Sequence, residues 1–298
     1  MVLTNFQSAT ALRNAPIGVF DSGVGGLTVL RALQATLPGE RFVYLGDTAR
    51  LPYGTKSPET IVRYSSQAAA HLMEQGIKCL VVACNTASAA ALDVLRAQYP
   101  NLPIVGVVEP GAVAGCKASV NGRMVVIATE GTVQGGAYQR AIARIRADAE
   151  VIARACPLFV ALAEEGWVQG PIVEAIARRY IGDLFATEGT PDTLLLGCTH
   201  FPVLREVLAS VVGKNVTIVD SADTTAAAVA GLLTEHELLA TSEPLVPSVR
   251  FLATDGRERF ARVAAYFLGR PIAPQTVELI DPSFAGIVTN GVAPSSSG

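Results

Sequence analysis

At 298 residues, half of them hydrophobic and only 16% charged, the chain is too apolar for disorder. Its formal net charge of −3 and scattered basic residues leave no electrostatic footprint for nucleic acid or an anionic membrane. Small-molecule chemistry is the class that remains.

In chain order, residues 1–15 carry Asn5, Gln7, Arg13 and Asn14 with no apolar core or small-residue cleavage site, so a cytoplasmic location is expected. Unbroken apolar runs at 17–20, 42–45, 80–83, 104–108, 124–128, 194–196, 216–219 and 249–253 predict buried parallel strands. Helix-like segments at 27–37, 58–74, 87–98, 137–147, 171–185, 202–211 and 257–267 alternate with them. The Ala-rich stretches 65–72 and 224–233 fall short of the roughly 20 apolar residues of a membrane span. Residues 293–298, rich in Ser, Gly and Pro, read as a loose tail.

The chain also repeats itself faintly. Leu80-Val-Val-Ala-Cys84-Asn85-Thr86 and Leu194-Leu-Leu-Gly-Cys198-Thr199-His200 share an apolar run, a cysteine and two polar residues, offset by 198 − 84 = 114. Val19-Phe20-Asp21-Ser22-Gly23 and Val126-Ile127-Ala128-Thr129-Glu130 repeat a strand and polar turn at an offset of 126 − 19 = 107. The expected architecture is therefore two similar three-layer α/β domains with largely parallel sheets, pseudo-symmetric, and an active site in the cleft between them. One domain would comprise 1–108 plus 222–298, the other 109–221, with a hinge near Glu109-Pro110-Gly111 and a return crossing near Asp220-Ser221-Ala222.

In open α/β sheets ligands bind beyond the carboxyl ends of strands, where helix N-termini offer backbone N–H groups. The polar clusters Asp21-Ser22, Asp47-Thr48 with Pro52-Tyr53-Gly54, Cys84-Asn85-Thr86, Glu109, residues 129–132 and Cys198-Thr199-His200 all fall there, and are expected to line one crevice. A cysteine opening a helix has its thiolate stabilised and its pKa lowered from about 8.5. A lone cysteine is more often a small buried hydrophobe, but two in matching contexts reverse that preference. Cys79, Cys116 and Cys156 lack the context and read as structural; with no CxxC pair and no zinc-like spacing, neither disulfides nor structural zinc are expected.

Other residues stay ambiguous locally. Asn85, Thr86 and Thr199 suit either an anionic substrate or helix capping. Asp21-Ser22-Gly23-Val24-Gly25-Gly26 fails as a dinucleotide loop because Thr28 stands where G-x-G-x-x-G needs glycine. Asp21 would repel phosphate, so it is either a satisfied turn aspartate or a partner for an amine or proton. His200 stands two residues from Cys198 and titrates near neutrality. Glu164-Glu165-Gly166 is either a surface loop or an acid facing the crevice. His71 and His236 have no such neighbours and read as packing or surface residues.

Four ordered motifs then resemble the signatures of bacterial glutamate racemases: Ile17-Gly-Val-Phe-Asp21-Ser22-Gly-Val-Gly-Gly-Leu-Thr-Val29, Tyr44-Leu-Gly-Asp47-Thr-Ala-Arg-Leu-Pro-Tyr53-Gly54, Ala83-Cys84-Asn85-Thr86-Ala87-Ser88 and Leu196-Gly197-Cys198-Thr199-His200-Phe201-Pro202. The resemblance runs from about residue 17 to about 281. It implies a racemase without metal, pyridoxal phosphate or other cofactor that interconverts L- and D-glutamate and supplies D-glutamate for peptidoglycan. It further implies Cys84 and Cys198 as the two acid/base catalysts, with Asp21, His200 and Glu164 as auxiliary groups. Substrate contacts carry over to Asp21, Ser22, Tyr53, Gly54, Asn85, Thr86, Thr132, Thr199 and His200. Ala161 and Ala163 depart from the expected Pro and Val, with a small effect expected. A homodimer is the expected assembly, with no nucleic-acid or membrane partner; in some family members an extension such as the one before Ile17 carries regulation or an inhibitory interaction with DNA gyrase.

Racemisation removes a weakly acidic α-proton and returns one to the opposite face, so one sulfur must start as thiolate and the other as thiol. An aspartate or hydantoin racemase would use the same chemistry with another side-chain pocket. An amino-acid-binding module would also use two α/β halves around a cleft, and a redox switch would use the thiols without turnover.

Overall fold

The computed structural model describes residues 9–186, 190–241 and 249–281. The tail at 293–298 and residues 1–8 of the N-terminal stretch lie outside these. A short helix α1 (Ala9–Arg13) precedes β1 (Ile17–Asp21), α2 (Leu27–Thr36), β2 (Phe42–Gly46), α3 (Pro58–Glu74), β3 (Cys79–Val82), α4 (Asn85–Gln98) and β4 (Ile104–Gly106). Then come α5 (Val108–Ala118), β5 (Arg123–Ala128), α6 (Glu130–Gln134), α7 (Ala137–Ile145), β6 (Glu150–Ala155), α8 (Leu158–Glu164), α9 (Pro171–Ile181), β7 (Thr193–Gly197), α10 (Arg205–Val212) and β8 (Thr217–Asp220). The chain closes with α11 (Ser221–Glu235), β9 (Val249–Ala253), α12 (Arg257–Leu268) and β10 (Val277–Leu279).

Two sheets result, in the orders β10-β9-β2-β1-β3-β4 and β6-β5-β7-β8, and every strand pair is parallel. The order β2-β1-β3-β4 in the first corresponds to β6-β5-β7-β8 in the second. Register makes the echo concrete. Val82, two residues before Cys84, pairs with Phe20; Leu196, two before Cys198, pairs with Ile127. These partners differ by 127 − 20 = 107 and 196 − 82 = 114, the same two offsets that the motifs show.

Both faces of each sheet are covered by helices, which is why the strands read as unbroken apolar runs. Along β1, Ile17 and Val19 join the cluster packed with Leu30 of α2, Val229 of α11 and Phe267 of α12. Phe20 points to the opposite face, toward Leu72 of α3 and Leu92 of α4. In β5, Val125 and Ile127 face Leu162 of α8, Val173 of α9 and Leu208 of α10, while Met124 and Val126 face Ala112 of α5 and Ile142 of α7. Each such buried aliphatic side chain contributes about 1.5–3 kcal/mol relative to exposure.

Local chemistry sets the helix starts. Pro58 opens α3 behind Ser57, whose hydroxyl accepts from the Thr60 N–H. Asp220 caps α11 by accepting from the Ala222 N–H.

Glu109-Pro110-Gly111 lies in the first turns of α5, where a proline's missing N–H is already without a helical partner. Asp220-Ser221-Ala222 joins β8 to α11, whose Ala226 and Val229 pack in the core of the six-stranded sheet. β6 and β10 fall outside the unbroken apolar runs of the sequence. β6 is an edge strand carrying Glu150 and Arg154 among its apolar residues, and β10 is only Val277–Leu279.

Candidate active site

The carboxyl ends of β1, β3, β5 and β7 converge on a cavity of about 400 Å³ lined by residues of both sheets. Cys84 and Cys198 both line it. So do Ser22, Tyr53, Gly54, Asn85, Thr86, Glu164, Thr199 and His200. The structure therefore brings together ten of the twelve residues that the family resemblance implies as catalytic or substrate-binding, the exceptions being Asp21 and Thr132.

Cys84 is the N-cap of α4 and its sulfur accepts from the Ala87 N–H at 3.4 Å. The same sulfur lies 3.5 Å from Ser22 Oγ. The lowered thiol pKa expected at a helix start is not found here. Burial pushes the Cys84 thiol up to about 12, and the nearby Asp21 charge pushes the same way against the Ser22 and Ala87 contacts. Asp21 is itself buried behind the cavity wall, and burial raises its carboxyl above the usual range against the charge of His200. One of its oxygens accepts from the Gly23 N–H at 2.9 Å and from the Tyr44 hydroxyl at 3.4 Å. The other, Oδ1, is buried without a partner.

Cys198 has a different setting. Residues Phe201–Leu204 form a 3-10 turn and α10 starts only at Arg205, so this cysteine does not cap an α-helix. Its sulfur lies 3.8 Å from His200 Nδ1, and His200 Nε2 lies 3.1 Å from Glu164 Oε1. Burial alone would lower the His200 pKa, but the contacts with Cys198 and Glu164 outweigh it and raise the imidazole to about 10. Burial would raise Glu164, yet His200 and Arg259 together hold it below the ordinary carboxyl range. Two chemically different environments thus face one cavity: a thiol beside a carboxyl, and a sulfur beside an imidazolium.

Around them stand hydrogen-bonding groups suited to an anionic ligand. Thr86 Oγ1 is 2.9 Å from Thr129 Oγ1 and 3.2 Å from Thr132 Oγ1, and the last two are 3.0 Å apart. Thr132 is thereby placed behind the wall rather than on it; Thr129 is the member of its turn that lines the cavity. Asn85 donates to the Tyr138 hydroxyl at 2.9 Å, leaving its buried Oδ1 unpartnered. Tyr53 lines the cavity while its hydroxyl donates to Asp47. Asp47 in turn accepts from Arg50 Nε and Thr254 Oγ1 at 3.0 Å or less, so it supports the wall from behind. Glu109 faces elsewhere and pairs with Arg96 at 3.0 Å.

Arg259 of α12 also lines the cavity, with its Nη2 2.7 Å from Glu164 Oε2. No local pattern marks it, since it lies 95 residues from its partner. The Gly-rich turn has a spatial reason: a Cβ on Gly25 would stand 2.3 Å from His200 Nδ1, and one on Gly26 2.6 Å from Asp21 Cβ. Among the described residues no group of three or more His, Cys, Asp or Glu is arranged to hold a metal, and no helix is long and apolar enough to cross a membrane.

Comparison with known proteins follows the same lines. The sequence model of the Asp/Glu/Hydantoin racemase family matches residues 17–229. A glutamate racemase of Geobacter metallireducens is 51% identical over 254 residues, 85% of this chain and 92% of that protein. Among solved structures, the glutamate racemase of Francisella tularensis in complex with D-glutamate superposes with a TM-score of 0.83 at 36% identity, covering 91% of this chain and 99% of that one. The RacE1 isoform of Bacillus anthracis gives 0.84 at 35% identity, covering 90% and 98%.

Proposed function

Because the chain belongs to the Asp/Glu/Hydantoin racemase family, we propose that it interconverts L- and D-glutamate by passing the α-proton between two cysteines, Cys84 and Cys198. The observation that carries this reading is their placement: equivalent strand ends of two matching sheets deliver both residues to one cavity. The D-glutamate bound in the Francisella tularensis relative supports glutamate as the substrate. The family resemblance supports a role for the product in peptidoglycan synthesis.

In each turnover a thiolate takes the α-proton and becomes a thiol, while the opposing thiol protonates the other face and becomes a thiolate. The two sulfurs end with exchanged protonation, and the reverse reaction restores them. Cys84, kept as a thiol by burial and by Asp21, is the proton donor of the resting protein. His200, protonated up to about pH 10, presents a positive charge to the sulfur of Cys198. The carbanion's charge spreads into the α-carboxylate, where Thr86, Thr129 and the N–H groups at the start of α4 offer donors. No cofactor is needed for this proton balance.

Serine at either position tests the reading. An alcohol is far less acidic than a thiol, so Cys84→Ser and Cys198→Ser should each lower racemisation by about 10²–10⁴-fold, the usual contribution of a positioned acid or base. Circular dichroism at the substrate's wavelengths follows the reaction, and unchanged turnover in either folded variant would sink the two-thiol mechanism.

A further inference from the structure

We propose that Arg259 is a positioning residue for Cys198, acting by clamping Glu164 in the orientation that holds His200. The proposal rests on the two-thiol reading above.

Glu164 has two oxygens, and each meets one cation: Oε1 is 3.1 Å from His200 Nε2 and Oε2 is 2.7 Å from Arg259 Nη2. The line of contacts continues from His200 Nδ1 to Cys198 Sγ at 3.8 Å. It runs from solvent into the core, because the Arg259 side chain is 51% exposed whereas those of Glu164 and His200 are 11% and 6% exposed. Its members come from three elements: α12 for Arg259, the end of α8 for Glu164, and the turn after β7 for His200 and Cys198. α12 packs through Phe260, Val263 and Phe267 into the core of the six-stranded sheet, and α8 packs through Phe159 and Leu162 into that of the four-stranded sheet. The ion pair therefore joins the two packing units across the cavity rim. α12 touches the imidazole as well, with the Phe267 ring edge-on to His200 at 5.2 Å between centroids.

Without the guanidinium, Glu164 Oε2 loses its partner in a nearly buried place, and the carboxylate is free to rotate toward water and away from His200. The groups facing His200 are Cys198, Glu164 and the charge of Asp21; those facing Glu164 are His200 and Arg259. Two roles for Arg259 then differ in sign. If it acts only by charge, removing a nearby cation makes the imidazolium easier to keep. If it positions Glu164, the imidazolium loses its carboxylate and gives up its proton sooner.

The chain has three histidines, so imidazole NMR of the ligand-free protein can follow His200 through a pH titration. In Arg259→Gln the His200 midpoint is expected to fall by about one pH unit, a tenfold change in proton affinity. On glutamate, kcat should fall about tenfold with KM held within about twofold, the pattern of lost transition-state positioning. Arg259→Lys, which keeps the cation, should recover most of both. A midpoint that stays or rises in Arg259→Gln, a change confined to KM, or a lysine variant no better than glutamine overturns the proposal. Absence of glutamate racemisation by the unaltered protein overturns instead the reading on which it rests, and the titration still reports on Arg259.

Discussion

The backbone of Gly25 lies against the imidazole of His200 so closely that no side chain fits between them: a Cβ at 25 would stand 2.3 Å from Nδ1 and 2.7 Å from Thr199 Oγ1. Nδ1 is the atom that faces Cys198. Gly25→Ala must therefore push the ring off its sulfur, because both neighbours are buried and have little room to give. A displacement of about 1 Å at a reacting group costs on the order of 10²-fold in rate. We expect Gly25→Ala to lose about that much racemase activity while its thermal unfolding stays cooperative. An active Gly25→Ala protein would show that His200 does not need its observed place.

Asp21 and Cys84 give a second test. The Asp21 charge helps hold the Cys84 thiol up at about 12, after burial itself. Asp21→Asn removes the charge but retains an oxygen to accept the Gly23 N–H, so the Cys84 thiolate should form more readily. Alkylation of Cys84 by iodoacetamide, followed peptide by peptide in a mass spectrometer, should accelerate by roughly threefold to tenfold at fixed pH. Slower or unchanged alkylation would exclude charge control of this thiol.

These two relationships also show what was legible before the structure. The repeated Leu-Leu/Val-Val run ending in cysteine carries both the strand and its register, because β3 and β7 are buried on two faces and their apolarity is unbroken. Helix α3 was readable to its first residue from Ser57-Pro58. The Cys84 thiol went the other way from its local context: a helix N-terminus favours the thiolate, but burial and a carboxylate from β1, 63 residues away in sequence, prevail. A separation of 95 residues likewise hid the Arg259 contact with Glu164 and left Glu164 undecided between loop and crevice. The resemblance carries over Thr132 as a substrate contact, but packing puts Thr129, the N-cap of α6, on the cavity and Thr132 behind it.

The pH dependence of stability isolates His200. Its folded pKa of about 10 is raised from an ordinary 6.5, so its stabilising contribution is complete below 6.5 and disappears as pH rises through 10. The thiols of Cys79, Cys84 and Cys156, raised from 9.0 to about 12, weaken the fold in the same direction but only above 9.0. Between 6.5 and 9.0 His200 therefore lowers Tm as pH rises, in the same direction as the raised Asp21 carboxyl, and His200→Asn should make that fall shallower. A Tm slope that is the same in both proteins across that window would contradict the raised imidazole.

The threonine triangle separates binding from support. Thr86 and Thr129 line the cavity, whereas Thr132 bonds to both from behind. Valine at any of the three keeps the volume and deletes one hydroxyl, and a buried partner left unpaired costs about 1–3 kcal/mol. In Thr132→Val both remaining hydroxyls still pair with each other at 2.9 Å, so the loss should appear as reduced Tm with the KM for glutamate nearly unchanged. In Thr86→Val and Thr129→Val the deleted hydroxyl belongs to a residue that lines the cavity, so KM is expected to rise about tenfold, the equivalent of one hydrogen bond. Isothermal titration with D-glutamate on the three purified variants gives the comparison directly. Equal weakening in all three would mean that the triangle acts only as a unit and that its lining members make no separate contact with substrate.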